Sequence, residues 1–450
     1  MAEPERGDNK LRSWKEIAAH LGVDGRTCAR WEKKFGLPIH RAQGEVYRSR
    51  VFAYRDELDA WFQTTFRNHQ KGANVAARRT TPRRIWLWSL PALATVAIGA
   101  WLLLPIIVPV LNPSNRVPTD FRIEGSVLVI LNRAGQPLGE FDTKLTNLWS
   151  DKEYKDVEHV ALGPAKDSGN LYVLFRDLQG DGRLEVLFAT QTSDELREGD
   201  LICLSDRGDL LWKFHAGREV LFGTKTYSSD YRISWFDASD LEGDGRLEVL
   251  LSSIHNPEWP CQLALLSSEG TLLGEYWNAG HIIDAVGADI DSDGRKELIA
   301  GGLNNEYRKA CLVALDTPEF HGSSPNSSEF RSPDLPPGGE IAYLLLPRTQ
   351  IDQLEGLYEG PEDVQLLANG NIRVFMHISG LFFEFRPDLT LLQILPSHAF
   401  ELLHQKYFRA GKVTAPYSEQ EYVKPLEKEV LYFDGQGWTT TPTTKLKTAR

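Results

Sequence analysis

Cysteine is scarce in this sequence, and the familiar motifs of enzyme active sites are missing from it. The 450 residues include four cysteines, at positions 28, 203, 261 and 311, with no CxxC pair and no dense spacing. This excludes a cysteine-rich metal site and a disulfide-dense scaffold. There is no nucleophile elbow, HExxH or P-loop, so nothing indicates catalysis and we expect a protein that is not an enzyme. Acidic pairs for sugar hydrolysis stay open, because their geometry leaves no motif.

Positive charge is in short supply in most of the chain. The total is −12, yet the first 84 residues carry 18 Lys and Arg against 10 Asp and Glu, a net +8. The remainder therefore carries −20. At this length two or three domains are expected, and a basic head on an acidic body indicates that the two parts face different partners.

A charge-free run of 27 residues, Ile85 to Leu111, separates head from body. Roughly 20 apolar residues span a bilayer as a helix, so this run predicts one transmembrane helix, with a buried helix of a soluble protein as the alternative. Arginines at 78, 79, 83 and 84 precede it, and positive charge stays cytoplasmic. We therefore expect a single-pass inner-membrane protein with a cytoplasmic N-terminus and a periplasmic or extracellular C-terminal domain.

The head contains two helix signals in a row. Ser13 and Glu16 form a capping box, Gly22 ends the first helix, and Asp24 can cap a second. This spacing predicts a helix-turn-helix, followed by a β-hairpin wing over residues 39–54. The polar side of the second helix and the wing carry groups suited to phosphates and guanine edges, namely Arg26, Thr27, Arg30, Lys33, Lys34, Arg41, Arg48 and Arg50.

Residues 12–63 resemble the winged helix-turn-helix of the MerR/excisionase type. The resemblance is carried by "SWKEIAAHLGV", "RTCARWEKKFGLP" and "VFAYRDELDAW". It implies sequence-specific binding of duplex DNA; a solvated basic face on a small helical adaptor is the alternative. We expect residues 1–11 to be a disordered tail and residues 64–84 a polar basic linker.

The acidic body, residues 112–450, is built from repeats. We name loop one "DLQGDGRLEV" (177–186), loop two "DLEGDGRLEV" (240–249) and loop three "DIDSDGRKEL" (289–298). A hairpin pattern follows each loop in phase, at 201–211, 263–273 and 312–315, and an earlier hairpin lies at 128–138. About four strands per unit predict an all-β propeller of about six or seven blades, with a β-sandwich or β-helix as the alternative. The run 317–339, rich in Pro and Ser, predicts a surface insertion.

Alternating carboxylates in each loop indicate a calcium site, because calcium takes six to eight oxygens. An EF-hand is excluded, since its twelfth-position Glu is replaced by apolar residues and a strand follows. An acidic, solvated Asp-Gly turn is the alternative. The candidate ligands are Asp289, Asp291, Asp293, the carbonyl of Arg295, and Glu297 in loop three; Asp240, Glu242, Asp244 and Glu248 in loop two; and Asp177, Asp181 and Glu185 in loop one.

These loops resemble the FG-GAP/VCBS calcium loops of integrin-α-type propellers. The resemblance implies a structural calcium ion. It departs from the family pattern at Gln179 and Glu242, where Asp or Asn is usual, so loops one and two are expected to bind weakly.

The predicted fold class is thus multidomain: a small α+β winged helix-turn-helix, one transmembrane helix and a β-propeller. This arrangement resembles a bacterial one-component transmembrane transcriptional regulator. It implies duplex DNA, the membrane and an exported ligand or envelope protein as partners, with pairing of two heads as a homodimer on a palindromic site. The alternatives are an exported carbohydrate- or protein-binding propeller, enzymatic or not, with the head as a tether, and a scaffold between chromosome and envelope.

Overall fold

The structure, a computed structural model, divides into two compact units, residues 1–96 and 97–450. It describes the following residues: 10–11, 13, 16–17, 20, 37–41, 51–55, 57–58, 116–156, 170–193, 199–255, 259–355 and 359–443.

In the first unit the described residues form a small antiparallel sheet in the order β1-β3-β2. Its strands are β1 (Lys10–Leu11), β2 (His40–Arg41) and β3 (Val51–Tyr54). The Glu16 N–H donates to Ser13 Oγ at 3.2 Å, and helical residues follow at positions 16, 17 and 20. Local helix signals therefore coexist here with strand pairing over long sequence separations.

The fold class predicted from the sequence is wrong. The part of the chain that the structure describes is nearly all β, its four α-helices are short, and it shows no winged helix-turn-helix. Within the same residues, no helix is both long enough and apolar enough to cross a membrane. In the described head, strands pair with one another, as His40 does with Phe52, and a helical hydrogen bond runs from the Ile17 N–H to the Ser13 carbonyl at 3.0 Å. The predicted second helix and the predicted span, residues 85–111, lie outside the described residues.

The described body consists of five successive sheets and one hairpin, and all neighbouring strands pair in an antiparallel manner except β16 with β20. Sheet 1 contains β4 (Pro118–Glu124), β5 (Val127–Asn132) and β6 (Pro137–Asp142). Sheet 2 contains β7 (Val173–Arg176), β8 (Glu185–Ala189), β9 (Asp200–Leu204) and β10 (Leu210–His215). The hairpin is β11 (Val220–Phe222) and β12 (Lys225–Tyr227).

The remaining sheets are larger. Sheet 3 contains β13 (Tyr231–Ser239), β14 (Glu248–His255), β15 (Cys261–Leu266), β16 (Leu272–Asn278) and β20 (His321–Ser323). Sheet 4 contains β17 (Ile282–Ala288), β18 (Glu297–Asn304), β19 (Lys309–Leu315), β21 (Glu340–Leu345), β26 (Leu431–Phe433) and β27 (Trp438–Thr439). Sheet 5 contains β22 (Asp363–Leu366), β23 (Ile372–Met376), β24 (Leu381–Phe385) and β25 (Leu391–Pro396).

Short helices connect and cover the sheets of the body. They are α1 (Asp151–Lys155), α2 (Gln350–Glu355), α3 (His398–Arg409), α4 (Glu419–Tyr422) and a 3₁₀ helix, Lys424–Lys428. Ser150 caps α1 in a capping box with Glu153, and Ser397 caps α3 by accepting from the Phe400 N–H. Ser at these positions satisfies N–H groups that a helix start leaves without intrahelical partners.

Strand position within a sheet follows from the apolar pattern. The middle strands of sheets 2 to 4 read as nearly continuous apolar runs, such as "DLICL" and "KACLVAL", and they are buried on both faces. The outer strand β10, "LLWKFH", leaves Leu210 and Leu211 about half exposed. Each fully buried Phe or Leu side chain contributes roughly 1.5–3 kcal/mol, so the cores between sheets dominate the stability of the body.

The sheets pack on one another in chain order. One apolar cluster joins Ile130 of sheet 1, Phe188 of sheet 2 and Phe236 of sheet 3. A second cluster joins sheets 3 and 4, and a third joins Ile299 of sheet 4 to Val374 of sheet 5. Successive, mainly antiparallel sheets of three to six strands packed in this order make a propeller-like β fold. The described residues form five such sheets, where the repeat length predicted six or seven blades.

Candidate metal centre and binding cavity

The three acidic loops occupy the same place in three consecutive sheets. Each connects the first strand of its sheet to the second: β7 to β8, β13 to β14, and β17 to β18. The closing glutamates, Glu185, Glu248 and Glu297, are the first residues of the second strands, and each is less than 10% exposed. The sequence repeat is therefore a structural repeat.

Backbone N–H groups hold the carboxylates of each loop in position. In loop three, Asp289 accepts hydrogen bonds from the Asp293 and Gly294 N–H groups, both at 3.2 Å. Glu297 Oε2 accepts from the Ile290 N–H at 2.8 Å. The same bond closes loops one and two, where the N–H groups of Leu178 and Leu241 donate at 2.9 Å to Glu185 and Glu248 respectively.

The loops also stack directly on one another. The Leu247 N–H of loop two donates to the Leu178 carbonyl of loop one at 2.9 Å, and the Lys296 N–H of loop three donates to the Leu241 carbonyl at 2.8 Å. The Lys296 ammonium reaches the Asp240 carbonyl at 2.9 Å. The three loops therefore form one continuous ladder rather than three separate turns.

The stacking explains a sequence difference between the loops. Gly180 and Gly243 hold the fourth positions of loops one and two at positive φ, and a Cβ on them would approach the next loop's backbone to 2.8 and 3.3 Å. Loop three has Ser292 at this position, with φ of 64°. None of the described acidic loops follows loop three in the stack, so a side chain has room there.

Loop three gathers carboxylates most closely. Asp289, Asp291 and Glu297 each place one oxygen so that all three lie within 4.8 Å of one another. Among the residues that the structure describes, this is the one group of three His, Cys, Asp or Glu side chains with metal-ligand spacing. Oxygens bound to one calcium ion at 2.3–2.6 Å lie at most about 5 Å apart, so the group fits that ion.

Burial of the closing glutamates disfavours their charged form. Burial raises the pKa of Glu297 to about 7; the hydrogen bond from Ile290 opposes this, and the charges of Asp291 and Asp293 raise the pKa further. Burial also raises the pKa of Glu185 and of Glu248. A cation among these carboxylates would reverse the effect by favouring the ionised form.

The remaining candidate ligands are not brought into such a group. Asp293, the fifth residue of loop three, accepts at Oδ1 from the Arg295 N–H at 2.8 Å. The aspartates at the fifth positions of loops one and two accept in the same way: Asp181 from the Arg183 N–H, and Asp244 from the Arg246 N–H. Among the described residues, Glu242 and Asp240 of loop two do not belong to any group of three side chains with metal-ligand spacing.

Most of the predicted DNA-contacting residues lie outside the described residues, so their role stays a prediction. They are Arg26, Thr27, Arg30, Lys33, Lys34, Arg48 and Arg50. Arg41 is described as part of β2, where its backbone pairs with Val51.

A cavity of about 550 Å³ opens beside the hairpin β26–β27, which forms one edge of sheet 4. Its walls combine aromatic rings with polar side chains, including Tyr307, Arg331, Glu340, Gln436 and Trp438. The sequence did not predict it, because its residues come from two widely separated stretches, 307–340 and 433–438. An aromatic residue directly after a Gly turn, as in "DGQGW", is the one local signal that points to it.

No protein-family model and no curated protein matches this sequence. Among solved structures, the chain is similar to the exotype rhamnogalacturonan lyase YesX, at 16% identity and a TM-score of 0.30, with 49% of this chain and 40% of that chain covered. The Dos1 propeller aligns at 10% identity and a TM-score of 0.29, covering 61% of this chain and 65% of that one. BamB from Moraxella catarrhalis aligns at 9% and 0.24, covering 62% and 82%.

The chain spans less than half of the length of the lyase. Likenesses at these TM-scores carry no argument about ligand or activity. The propeller-like description rests on the order and packing of the chain's own sheets, and the resemblance of its loops to FG-GAP repeats stays a prediction.

Proposed function

We propose that the body of this chain is a ligand-binding propeller-like module whose loop three holds a structural calcium ion. The observation that carries the metal part is the group of Asp289, Asp291 and Glu297, with one oxygen of each within 4.8 Å of the others. Carboxylate oxygens are the ligands that calcium prefers, and neutralising three close negative charges would stabilise the folded loop.

The role assigned to the ion is structural. Glu297 is 3% exposed and begins β18, while Asp289 directly follows β17. An ion held by both residues would join the ends of two paired strands across their connecting loop. Because loop three also donates hydrogen bonds to loop two, the same ion would steady the ladder of loops.

The binding role is supported by the 550 Å³ cavity beside sheet 4. Small-molecule sites commonly occupy about 300–1,000 Å³ and combine apolar walls with a few polar groups. This observation favours the alternative named from the sequence, a carbohydrate- or protein-binding propeller. Duplex DNA binding, promoter regulation, head pairing, membrane attachment and export all stay predictions from the sequence.

The test is thermal and urea unfolding of the full-length chain in calcium, in chelator and in magnesium. An ion bound only to the folded state adds RT ln(1 + [L]/Kd), about 2.7 kcal/mol at a hundredfold excess over Kd. Magnesium should substitute poorly, because it demands a tighter octahedron. Identical unfolding in calcium and chelator, or full rescue by magnesium, would contradict the proposal and leave loop three as an acidic turn.

A further inference from the structure

The cavity beside sheet 4 has an aromatic wall of fixed orientation. Trp438 is partly exposed and packs edge-on with Tyr307, at a ring-centroid distance of 5.1 Å and 76° between planes. Phe433 lies 5.4 Å from the same indole, and the buried Tyr343 lies 6.1 Å away. Contacts with three rings leave the indole little freedom, so the wall is formed before any ligand arrives.

The polar part of the cavity lining is equally well supported. Glu340 is 4% exposed, and its Oε2 accepts from the Tyr276 hydroxyl at 3.5 Å. Its other carboxylate oxygen lies 4.0 Å from the place that a Cβ on the cavity-lining Gly338 would take. Glu340 is therefore a buried acidic residue of the cavity lining, next to backbone that carries no side chain.

A buried network of amides supports this polar wall. Asn326 is 7% exposed; its Nδ2 donates to Asn304 Oδ1 at 2.9 Å and to Glu306 Oε2 at 2.8 Å. The Tyr307 hydroxyl donates to the Pro325 carbonyl at 3.2 Å, which ties the aromatic wall to the same segment. Fully hydrogen-bonded networks of this kind rigidify their surroundings.

We infer that this cavity binds a neutral saccharide, with the apolar face of a sugar ring on Trp438 and sugar hydroxyls donating to the carboxylate of Glu340. This inference rests on the proposed binding function and names its site and ligand class. Sugars present C–H groups on the faces of the ring and hydroxyls around its edge, which matches a lining that combines an aromatic ring with a carboxyl group. The exposed side chain of Gln436, with both a donor and an acceptor, lies at the rim and can contact further hydroxyls.

The charge of the cavity favours a neutral ligand over an acidic one. Glu340 lies in the lining, and a uronate beside this buried carboxyl group would have no buried cation to neutralise it, because the guanidinium of Arg331 is exposed and water screens its charge. A peptide would also fill the volume, so the two classes must be separated by experiment.

The experiment measures binding of the full-length chain, in calcium, to three immobilised panels: neutral oligosaccharides, uronate oligosaccharides and random peptides. We expect neutral saccharides alone to bind. Trp438→Ala and Glu340→Gln should each weaken this binding by about tenfold or more, and Gln436→Ala by a smaller factor. Trp212→Ala and Gln365→Ala are the matched controls, since both residues lie outside the cavity and should leave binding unchanged.

Several outcomes would overturn the inference. These are failure of the folded wild-type chain to bind any neutral saccharide, binding that persists undiminished in Trp438→Ala and Glu340→Gln, and a preference for uronates that Arg331→Ala removes. Capture of peptides instead of sugars would also overturn it. The calcium-dependent melting shift should survive in Trp438→Ala, so failure at this cavity is distinguishable from failure of the proposed metal site.

Discussion

Loops two and three differ at the third position of the motif, and this difference separates an acidic turn from a candidate metal centre. In both loops the first Asp accepts hydrogen bonds from backbone N–H groups of the loop, and the last carboxylate is a buried Glu at the start of a strand. At the third position, loop three has Asp291, whose oxygen joins the group of three carboxylates, whereas loop two has Glu242. The shared frame is satisfied by hydrogen bonds alone, so the turn does not require an ion. What loop three adds is a third carboxylate in reach of the other two.

The ammonium group of Lys296 adds a second difference between loops two and three. Lys296 of loop three donates through its ammonium group to the Asp240 carbonyl of loop two at 2.9 Å. A positive charge is therefore already present beside loop two, and it opposes a second cation there. Loop three has no such lysine contact among the hydrogen bonds and ion pairs of the described residues.

The largest expected effect comes from removing the third carboxylate. Asp291→Ala should abolish most of the calcium-dependent stabilisation, about 2.7 kcal/mol at a hundredfold excess over the wild-type Kd. Glu242→Ala, the matched change in loop two, should leave the gain nearly intact. Urea unfolding of both full-length variants in calcium and in chelator measures the difference. Equal losses in the two variants would remove the distinction between the loops.

A smaller effect is expected from the pH dependence of the metal-free protein. The folded pKa of Glu297, about 7, lies above its ordinary value of 4.5. The stability contributed by this group is therefore complete below about pH 4.5 and is lost as the pH rises through 7. A shift of this size corresponds to at most about 3 kcal/mol, and we expect about 2 kcal/mol after local relaxation.

The measurement is the free energy of unfolding in chelator between pH 4.5 and 8, for wild type, Glu297→Gln and Glu248→Gln. Glutamine keeps an acceptor for the Ile290 N–H, so Glu297→Gln should remove the loss above pH 4.5 with the fold intact. Glu248→Gln should have less effect, and saturating calcium should suppress the dependence in wild type. A pH profile that is unchanged in Glu297→Gln would contradict the assigned role of burial.

The loop ladder was predictable from sequence because each loop is a local pattern repeated in phase. The hairpins at 128–138, 201–211 and 263–273 are confirmed as β5–β6, β9–β10 and β15–β16. Alternating and continuous apolar runs specify strands, and Gly positions specify turns, over distances of a few residues. The cluster of Asp289, Asp291 and Glu297 was within reach for the same reason.

Long-range pairing could not be predicted in this way. The hairpin β26–β27 joins sheet 4 only after the whole of sheet 5 has been completed, and no periodic pattern specifies which edge strand it will find. The segment 317–339 was predicted as a surface insertion, yet Phe320 and Ser323 are buried and β20 pairs in parallel with β16. The cavity depends on both segments, so it was missed. In the head, the predicted cap is present, since the Glu16 N–H donates to Ser13 Oγ. This local hydrogen bond does not specify how the rest of the domain folds.

The smallest expected effect is the conversion of loop two into a copy of loop three. Glu242→Asp shortens the third side chain to the length that Asp291 has, and should give loop two a weak calcium site worth about 1 kcal/mol at the same calcium concentration. The Lys296 ammonium contacts the Asp240 carbonyl, so adding Lys296→Met to Glu242→Asp should increase the stabilisation by calcium at loop two. Lys296→Met alone should not create a second calcium site. Isothermal titration of the full-length chain counts the sites directly: one for wild type and two for the double variant. A stoichiometry that stays at one in the double variant would show that the third position does not by itself decide which loop binds the ion.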